Sequence, residues 1–74
     1  MATAKQQRSI IAERLRDFRT ESGYTQEKLA KKAGVDRKTV NRIENALFSP
    51  TVDTLYRLCK VLEITPSKFL DGLR

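Results

Sequence analysis

The segment from residue 36 to residue 45 concentrates side chains that could hydrogen-bond to the edges of nucleic-acid bases. Its polar members include Arg37, Lys38, Asn41 and Arg42. An arginine guanidinium matches the O6 and N7 acceptors of guanine, and an asparagine amide matches adenine. A charged helix face is also, by default, simply a solvated surface, so these residues taken alone leave both interpretations open.

The apolar residues of the same segment stand where they would anchor it to a core. Val40 and Ile43 are three residues apart, on one side of a helix, so the basic and amide side chains point to the other side. Asp36 stands where an N-cap residue would accept a backbone hydrogen bond. The spacing therefore predicts a helix over residues 37–45 whose outward side is cationic.

The chain as a whole carries a strong positive charge for its size. Its 74 residues contain 15 Lys plus Arg against 9 Asp plus Glu, which gives a formal net charge of +6. Such a balance favours an anionic partner, either nucleic acid or an anionic membrane surface. A membrane binder would need a long basic amphipathic helix, whereas this sequence breaks into short helical segments, which favours nucleic acid.

Residues that the sequence lacks exclude several function classes. There is no histidine and one cysteine, Cys59, so a Cys/His zinc site, an internal disulfide and imidazole-activated catalysis are excluded. We therefore expect no enzymatic activity, no cofactor and no metal. Cys59 lies at helical spacing from Leu55 and Leu62 and is expected to be a small core residue. No stretch resembles a membrane span or a secretory signal, so we expect a cytoplasmic protein.

Five helices in one all-α domain must position these side chains. The first helix is predicted at about residues 8–22 and follows a flexible tail at residues 1–7, so the domain proper is residues 8–74. The other helices are predicted to begin after N-cap residues, and Gly or Pro residues mark several of their boundaries. The predicted caps are Thr25, Asp36, Thr51 and Thr65. The predicted ranges of these helices are 26–33, 37–45 and 52–63, with a short fifth helix that starts at Pro66.

Helices 2 and 3 are joined by only three residues, which read Gly34-Val35-Asp36. Gly34 can take the positive φ that a tight turn needs without a steric cost. Two short helices joined by a three-residue turn that contains glycine form the layout of a helix-turn-helix unit. The sequence therefore predicts this unit at helices 2 and 3.

The segment TQEKLAKKAGVDRKTVNRIEN, residues 25–45, resembles the helix-turn-helix of the phage repressor and Cro-like (XRE-type) family of bacterial regulators. The resemblance extends over about residues 9–70, nearly the whole chain. It implies a compact five-helix, lambda-repressor-like DNA-binding domain. The residues that carry the match are Gln26, Leu29, Ala30, Gly34, Val35, Val40, Ile43, Glu44 and Asn45.

The resemblance also implies roles for individual residues. In this motif helix 3 enters the major groove while helix 2 lies across the DNA backbone. The residues implied to read bases are Arg37, Lys38, Asn41 and Arg42. The residues implied to contact the DNA backbone are Thr25, Gln26, Thr39, Asn45 and Ser49.

Two structural features follow from the same resemblance. An ion pair between helices 1 and 3 is implied, with Arg19 and Glu44 as its partners. The family often has glycine where this chain has Ala46. Either Asn45 or Ala46 is therefore expected to take the bend after helix 3.

A single motif reads few base pairs, so we expect a homodimer on a pseudo-palindromic operator with half-sites about one helical turn apart. The expected dimer surface consists of the apolar residues Leu62, Ile64, Phe69 and Leu73. The expected function is sequence-specific transcriptional regulation by a bacterial or phage-encoded, nucleoid-associated protein, such as a repressor or a restriction–modification controller protein.

One alternative has a protein as the main partner. Small proteins of this family also include antitoxins, and a helix-turn-helix can serve as a protein-interaction module. The partner would then be a toxin or RNA polymerase, and the apolar pair Leu47-Phe48 would be a candidate contact.

Overall fold

The computed structural model describes residues 3–72, and all regular structure in that range is helical. The elements are α1 (Ala4–Glu21), α2 (Gln26–Ala33), α3 (Arg37–Glu44), α4 (Val52–Leu62) and α5 (Pro66–Phe69). The predicted all-α class and the five helices are confirmed, and α2 has the predicted bounds. Among the helices within residues 3–72, none combines the length and the apolar composition of a membrane-spanning segment.

The start of α1 corrects the predicted tail. Thr3 caps this helix, because its side-chain oxygen accepts a hydrogen bond from the backbone amide of Gln6, while Gln6 Oε1 accepts one from the backbone amide of Thr3. This reciprocal capping box pairs two amide groups that a helix start would otherwise leave free. Residues 4–7 are therefore helical, and the prediction of a flexible tail is wrong for them; residues 1 and 2 lie outside the described part.

The other four helices begin after the residues that the sequence predicts as caps. The side chains of Thr25, Asp36, Thr51 and Thr65 each accept a hydrogen bond from a backbone amide in the first turn that follows. Pro66 then takes the first position of α5, where a missing N–H costs nothing. The cap at Asp36 thus sets the start of α3 at Arg37.

Residues with a left-handed backbone conformation lie directly after α2, in the bend after α3 and directly after α4. Gly34 takes φ +72° in the turn between α2 and α3, as the tight connection requires. The bend after α3 falls on Ala46 at φ 59°, and Glu63, the C-cap that follows α4, has φ 57°. A residue with a Cβ adopts this conformation at a cost of roughly 1–2 kcal/mol. Both α3 and α4 end one residue earlier than predicted, since Asn45 and Glu63 serve as their C-caps.

All five helices contribute to one core, which holds the inner side of α3. Cys59 is buried there, as predicted, and its burial raises the pKa of its thiol. The largest fully buried side chains are Leu15 of α1, Leu29 of α2, Val40 and Ile43 of α3, Leu58 of α4 and Phe69 of α5.

Two residues predicted to form a dimer surface belong to this core instead. Leu62 is 6% exposed and Phe69 is 1% exposed. The ring centroids of Phe69 and Phe18 lie 5.8 Å apart. Ile64 is partly buried against the same core, and Leu73 lies outside the described residues. A domain this small needs its C-terminal apolar side chains to close its own core, so the prediction is wrong for Leu62 and Phe69.

Candidate nucleic-acid interface

Four polar side chains cluster on the outward side of α3, and we call them the recognition face. They are Arg37, Lys38, Asn41 and Arg42, all exposed. Together with Gln26 of α2 they line one depression of about 220 Å³. The structure therefore brings together the four residues that the sequence predicts to contact bases.

The recognition face is cationic because the two acidic residues of this segment are not members of it and make other contacts. The Asp36 side chain accepts the backbone N–H of Lys38 at 3.1 Å, and Glu44 is only 2% exposed. Among the described residues, Arg37, Lys38 and Arg42 take part in no ion pair. Three cations without a neutralising partner therefore stand on the solvent side of α3, which favours an anionic ligand.

Arg19 holds the buried Glu44 carboxylate from the inner side. Arg19 Nε lies 2.7 Å from Glu44 Oε2, and Arg19 Nη2 lies 3.0 Å from Glu44 Oε1, which makes the pair bidentate. This hydrogen bonding to Glu44 raises the pKa of Arg19. Arg19 Nη1 also donates to the carbonyl oxygen of Tyr24 at 2.8 Å. The expected ion pair is thus present, and it ties α3 to α1 and to the segment before α2.

Arg16 is a further contact to α3 that the sequence prediction missed. Its Nη2 donates to the backbone carbonyl oxygen of Glu44 at 2.9 Å, and its Nε lies 3.8 Å from Glu44 Oε1. Carbonyl groups in the last turn of a helix lack partners within the helix, so Arg16 satisfies one of them. The signal was available, because Arg16 and Arg19 are three residues apart and lie on the same side of α1.

Three amide side chains are linked along the edge of the recognition face, and we call them the amide chain: Gln26, Asn41 and Asn45. Gln26 Nε2 donates to Glu44 Oε1 at 3.1 Å, and Gln26 Oε1 accepts from Asn41 Nδ2 at 3.2 Å. Asn45 Nδ2 donates to Asn41 Oδ1 at 3.1 Å and to the Asn41 backbone carbonyl at 2.8 Å. These side chains, predicted as separate DNA contacts, are therefore bonded to one another.

The remaining residues predicted to contact the DNA backbone are spread over three places. Thr25 Oγ1 accepts the backbone N–H of Lys28 at 3.1 Å at the start of α2. Thr39 is half-buried in the first turn of α3, and Ser49 is exposed in the connection to α4. Neither Thr39 nor Ser49 borders the depression of the recognition face. Their contacts with DNA stay predictions.

The part of the chain that contains α2 and α3 matches a known protein family. Residues 15–69 match the HTH_3 family, described as helix-turn-helix. An uncharacterized HTH-type transcriptional regulator of Archaeoglobus fulgidus is 42% identical over 48 residues, which are 65% of this chain and 69% of that protein. The HTH-type transcriptional regulator SinR of Bacillus subtilis is 33% identical over 63 residues, which are 84% of this chain but only 57% of SinR.

Solved structures agree with this assignment of the fold. The restriction–modification controller protein C.AhdI of Aeromonas hydrophila superposes with a TM-score of 0.80 at 31% identity, over 84% of this chain and 94% of that one. A crystal structure of SinR in complex with DNA superposes with a TM-score of 0.79 at 34% identity, over 82% of this chain and 98% of that one. The predicted lambda-repressor-like arrangement is confirmed.

Proposed function

Since this chain belongs to the HTH_3 helix-turn-helix family, we propose that it is a transcriptional regulator that binds double-stranded DNA in a sequence-specific manner. The observation that carries this proposal is the recognition face, whose three cations are exposed and without ion-pair partners in the described part of the chain. The similarity to SinR, whose structure was solved with DNA, supports the same conclusion.

In the proposed complex α3 lies in the major groove and α2 lies across the backbone. Arg37, Lys38 and Arg42 read bases through their cationic donors, and Asn41 reads an adenine with its amide. Each well-formed bidentate contact contributes roughly 1–3 kcal/mol of discrimination against the wrong base.

Phosphate contacts fix the register of α3 on the duplex in this proposal. The N-terminus of α2 presents backbone N–H groups, which favour an anion there. The proposed phosphate-contacting side chains are Thr25, Gln26, Thr39, Asn45 and Ser49.

We further propose that two copies bind a pseudo-palindromic operator, because one α3 spans only a few base pairs. The core positions of Leu62 and Phe69 require a different surface for dimerisation. Within residues 3–72, the exposed large apolar side chains are Leu47, Val52, Tyr56 and Leu70. Sedimentation at high micromolar concentration is expected to show a dimer. A monomer under those conditions would contradict the proposed dimer, but it would not contradict DNA binding by single copies of the protein.

Selection of bound sequences from random duplex DNA tests the proposal. We expect a consensus with two related half-sites whose centres lie about 10 base pairs apart. Recovery of duplexes without any shared sequence would contradict sequence-specific binding. A consensus without symmetry would contradict only the dimer. The similarity to C.AhdI supports a restriction–modification controller protein as one specific form of the proposed regulator.

A protein-interaction module, such as an antitoxin, is the second candidate function. The observation that favours it is Leu47, which is 67% exposed just after α3 and offers an apolar contact beside the recognition face. A module whose helix-turn-helix no longer reads DNA predicts that the selection returns no consensus, whereas an antitoxin that also binds DNA predicts a consensus together with a protein partner. The unpaired cations of α3 favour DNA over a protein partner, because a protein contact through Leu47 would make no use of them.

A further inference from the structure

The amide chain has one direction of hydrogen bonding, which is set at both ends by groups that can only accept. The acceptor at the first end is the Glu44 carboxylate, which also receives two hydrogen bonds from Arg19. A carboxylate has no proton to donate, so the group of Gln26 that lies 3.1 Å from it is the NH2 group. The carbonyl oxygen of Gln26 therefore faces Asn41.

The acceptor at the second end is a backbone carbonyl. Asn45 donates its NH2 to the carbonyl oxygen of Asn41 at 2.8 Å, and the same NH2 lies 3.1 Å from the side chain of Asn41. That neighbouring side-chain atom is therefore Asn41 Oδ1. Gln26 Oε1 requires the NH2 of Asn41 on the opposite side, at 3.2 Å. Both ends thus demand the same orientation of the Asn41 amide.

We infer that Gln26 and Asn45 are positioning residues that hold the Asn41 amide in one orientation for base recognition. This inference rests on the proposed function, because it assumes that α3 contacts bases. The Asn41 side chain is exposed, and its amide keeps one free N–H and free acceptor capacity on its oxygen. Adenine offers the matching N7 acceptor and N6 donor in the major groove. The Asn41 amide therefore has the orientation that adenine requires before it binds, and its side chain loses little rotational freedom on binding.

The effect should be confined to the base pair that faces Asn41. No side-chain hydrogen bond or ion pair holds Arg37, Lys38 or Arg42 among the described residues, whereas Asn41 is held on both sides. Loss of a positioning bond should therefore relax base preference at one position of each half-site. The bases faced by the three cations should keep their preferences.

A set of single and double variants tests the inference. Gln26→Met keeps the length of the side chain and removes its polar atoms, while Asn45→Ala removes the other bond to Asn41. Binding is measured on duplexes that carry each of the four base pairs at every position of the selected sequence. Each variant should lower the preference at the Asn41 position by roughly tenfold, the size of one base contact. Adding Asn41→Ala to either should cause no further loss of preference there.

The matched control is the double variant Gln26→Met with Arg42→Ala. Its losses should be additive and fall at two different base positions, because the side-chain hydrogen bonds of Gln26 in the described part of the chain go to Glu44 and Asn41 and not to Arg42. The phosphate contact proposed above for Gln26 weakens binding to all four base pairs alike and leaves their ratio unchanged, so the ratio reports the positioning of Asn41 alone. An unaltered preference in Gln26→Met and Asn45→Ala, where Asn41→Ala abolishes it, would overturn the inference.

A measurement on the free protein separates this inference from the proposed function. The side-chain NH2 resonances of Asn41 should shift in Gln26→Met and in Asn45→Ala, with the backbone spectrum otherwise preserved. Unchanged Asn41 resonances would show that its amide is not held, whatever the protein binds. If the wild-type protein selects no DNA sequence, base recognition fails and these resonances still decide whether Asn41 is held. Asn45 is exposed, so its variant carries the test should Gln26→Met fail to fold.

Discussion

The two sides of α3 differ in how completely their charges are paired. On the inner side, the Glu44 carboxylate is buried and receives hydrogen bonds from Arg19 and Gln26. On the outer side, the cations of the recognition face have no ion-pair partner within residues 3–72. The inner side therefore serves folding, while the outer side is available for binding. Substitutions on the two sides should accordingly change different quantities, the free energy of unfolding and the affinity for DNA.

The largest expected effect lies on the inner side. Arg19→Ala removes the bidentate partner of Glu44 and leaves a buried carboxylate short of hydrogen-bond donors. We expect the free energy of unfolding to fall by about 3 kcal/mol, because a buried charge that loses its partner is costly. Urea denaturation followed by circular dichroism measures this loss.

The control for Arg19→Ala is an ion pair on the surface. Arg57 Nε lies 3.1 Å from Asp53 Oδ2, and the two side chains are 52% and 80% exposed. Solvent screens such a pair, so Arg57→Ala should lower the free energy of unfolding by less than about 0.5 kcal/mol. Similar losses for the two variants would contradict the distinction between the buried pair and the surface pair.

The next effect lies on the outer side. Arg42→Ala should leave the free energy of unfolding within about 0.5 kcal/mol of wild type, since its side chain is exposed and takes part in no ion pair within residues 3–72. Discrimination at one base position of each half-site should fall by roughly 1–3 kcal/mol. Binding to duplexes with each base pair at that position measures this change. Equal weakening on selected and random duplexes would instead identify Arg42 as a phosphate contact.

The smallest effects concern the two junctions of α3, where substitutions should alter stability and not base preference. Ala46→Gly relieves a positive φ of 59° and should raise the free energy of unfolding by up to about 1 kcal/mol. Thermal unfolding of the variant measures this gain. Its counterpart Gly34→Ala should lower stability by about 1 kcal/mol, since φ is +72° and the new Cβ would lie 3.3 Å from Arg57 Nη1. A stability change of the same sign in both variants would contradict the argument from backbone geometry.

Much of the fold could be predicted because helix starts are encoded locally. Thr25 and Asp36 each satisfy free amides with their own side chains, and such caps are visible in the sequence. The start of α1 was missed although Thr3 and Gln6 have the spacing of a capping box. The end of α4 at Leu62 has no signal in the sequence, because Glu63, its C-cap, adopts a left-handed conformation without being glycine.

The residues of the candidate site could be predicted from the sequence, but the hydrogen bonds between them could not. The outward position of Arg37 and Arg42 follows from helical periodicity alone. The bond between Gln26 and Asn41 joins residues 15 positions apart on different helices, so only the packed structure shows it. The burial of Leu62 and Phe69 was also missed, since spacing marks them as apolar and does not say whether a partner or the chain itself covers them.

We propose that the outer side of α3 carries DNA binding while the inner side carries the fold. The most direct test compares wild type with the triple variant Arg37→Ala, Lys38→Ala, Arg42→Ala on one selected duplex as salt is raised from about 50 to 200 mM. We expect wild-type affinity to fall steeply with salt, and the triple variant, equally stable, to bind roughly a hundredfold more weakly with a shallower salt slope. Equal affinities and slopes for the two proteins would contradict the claim.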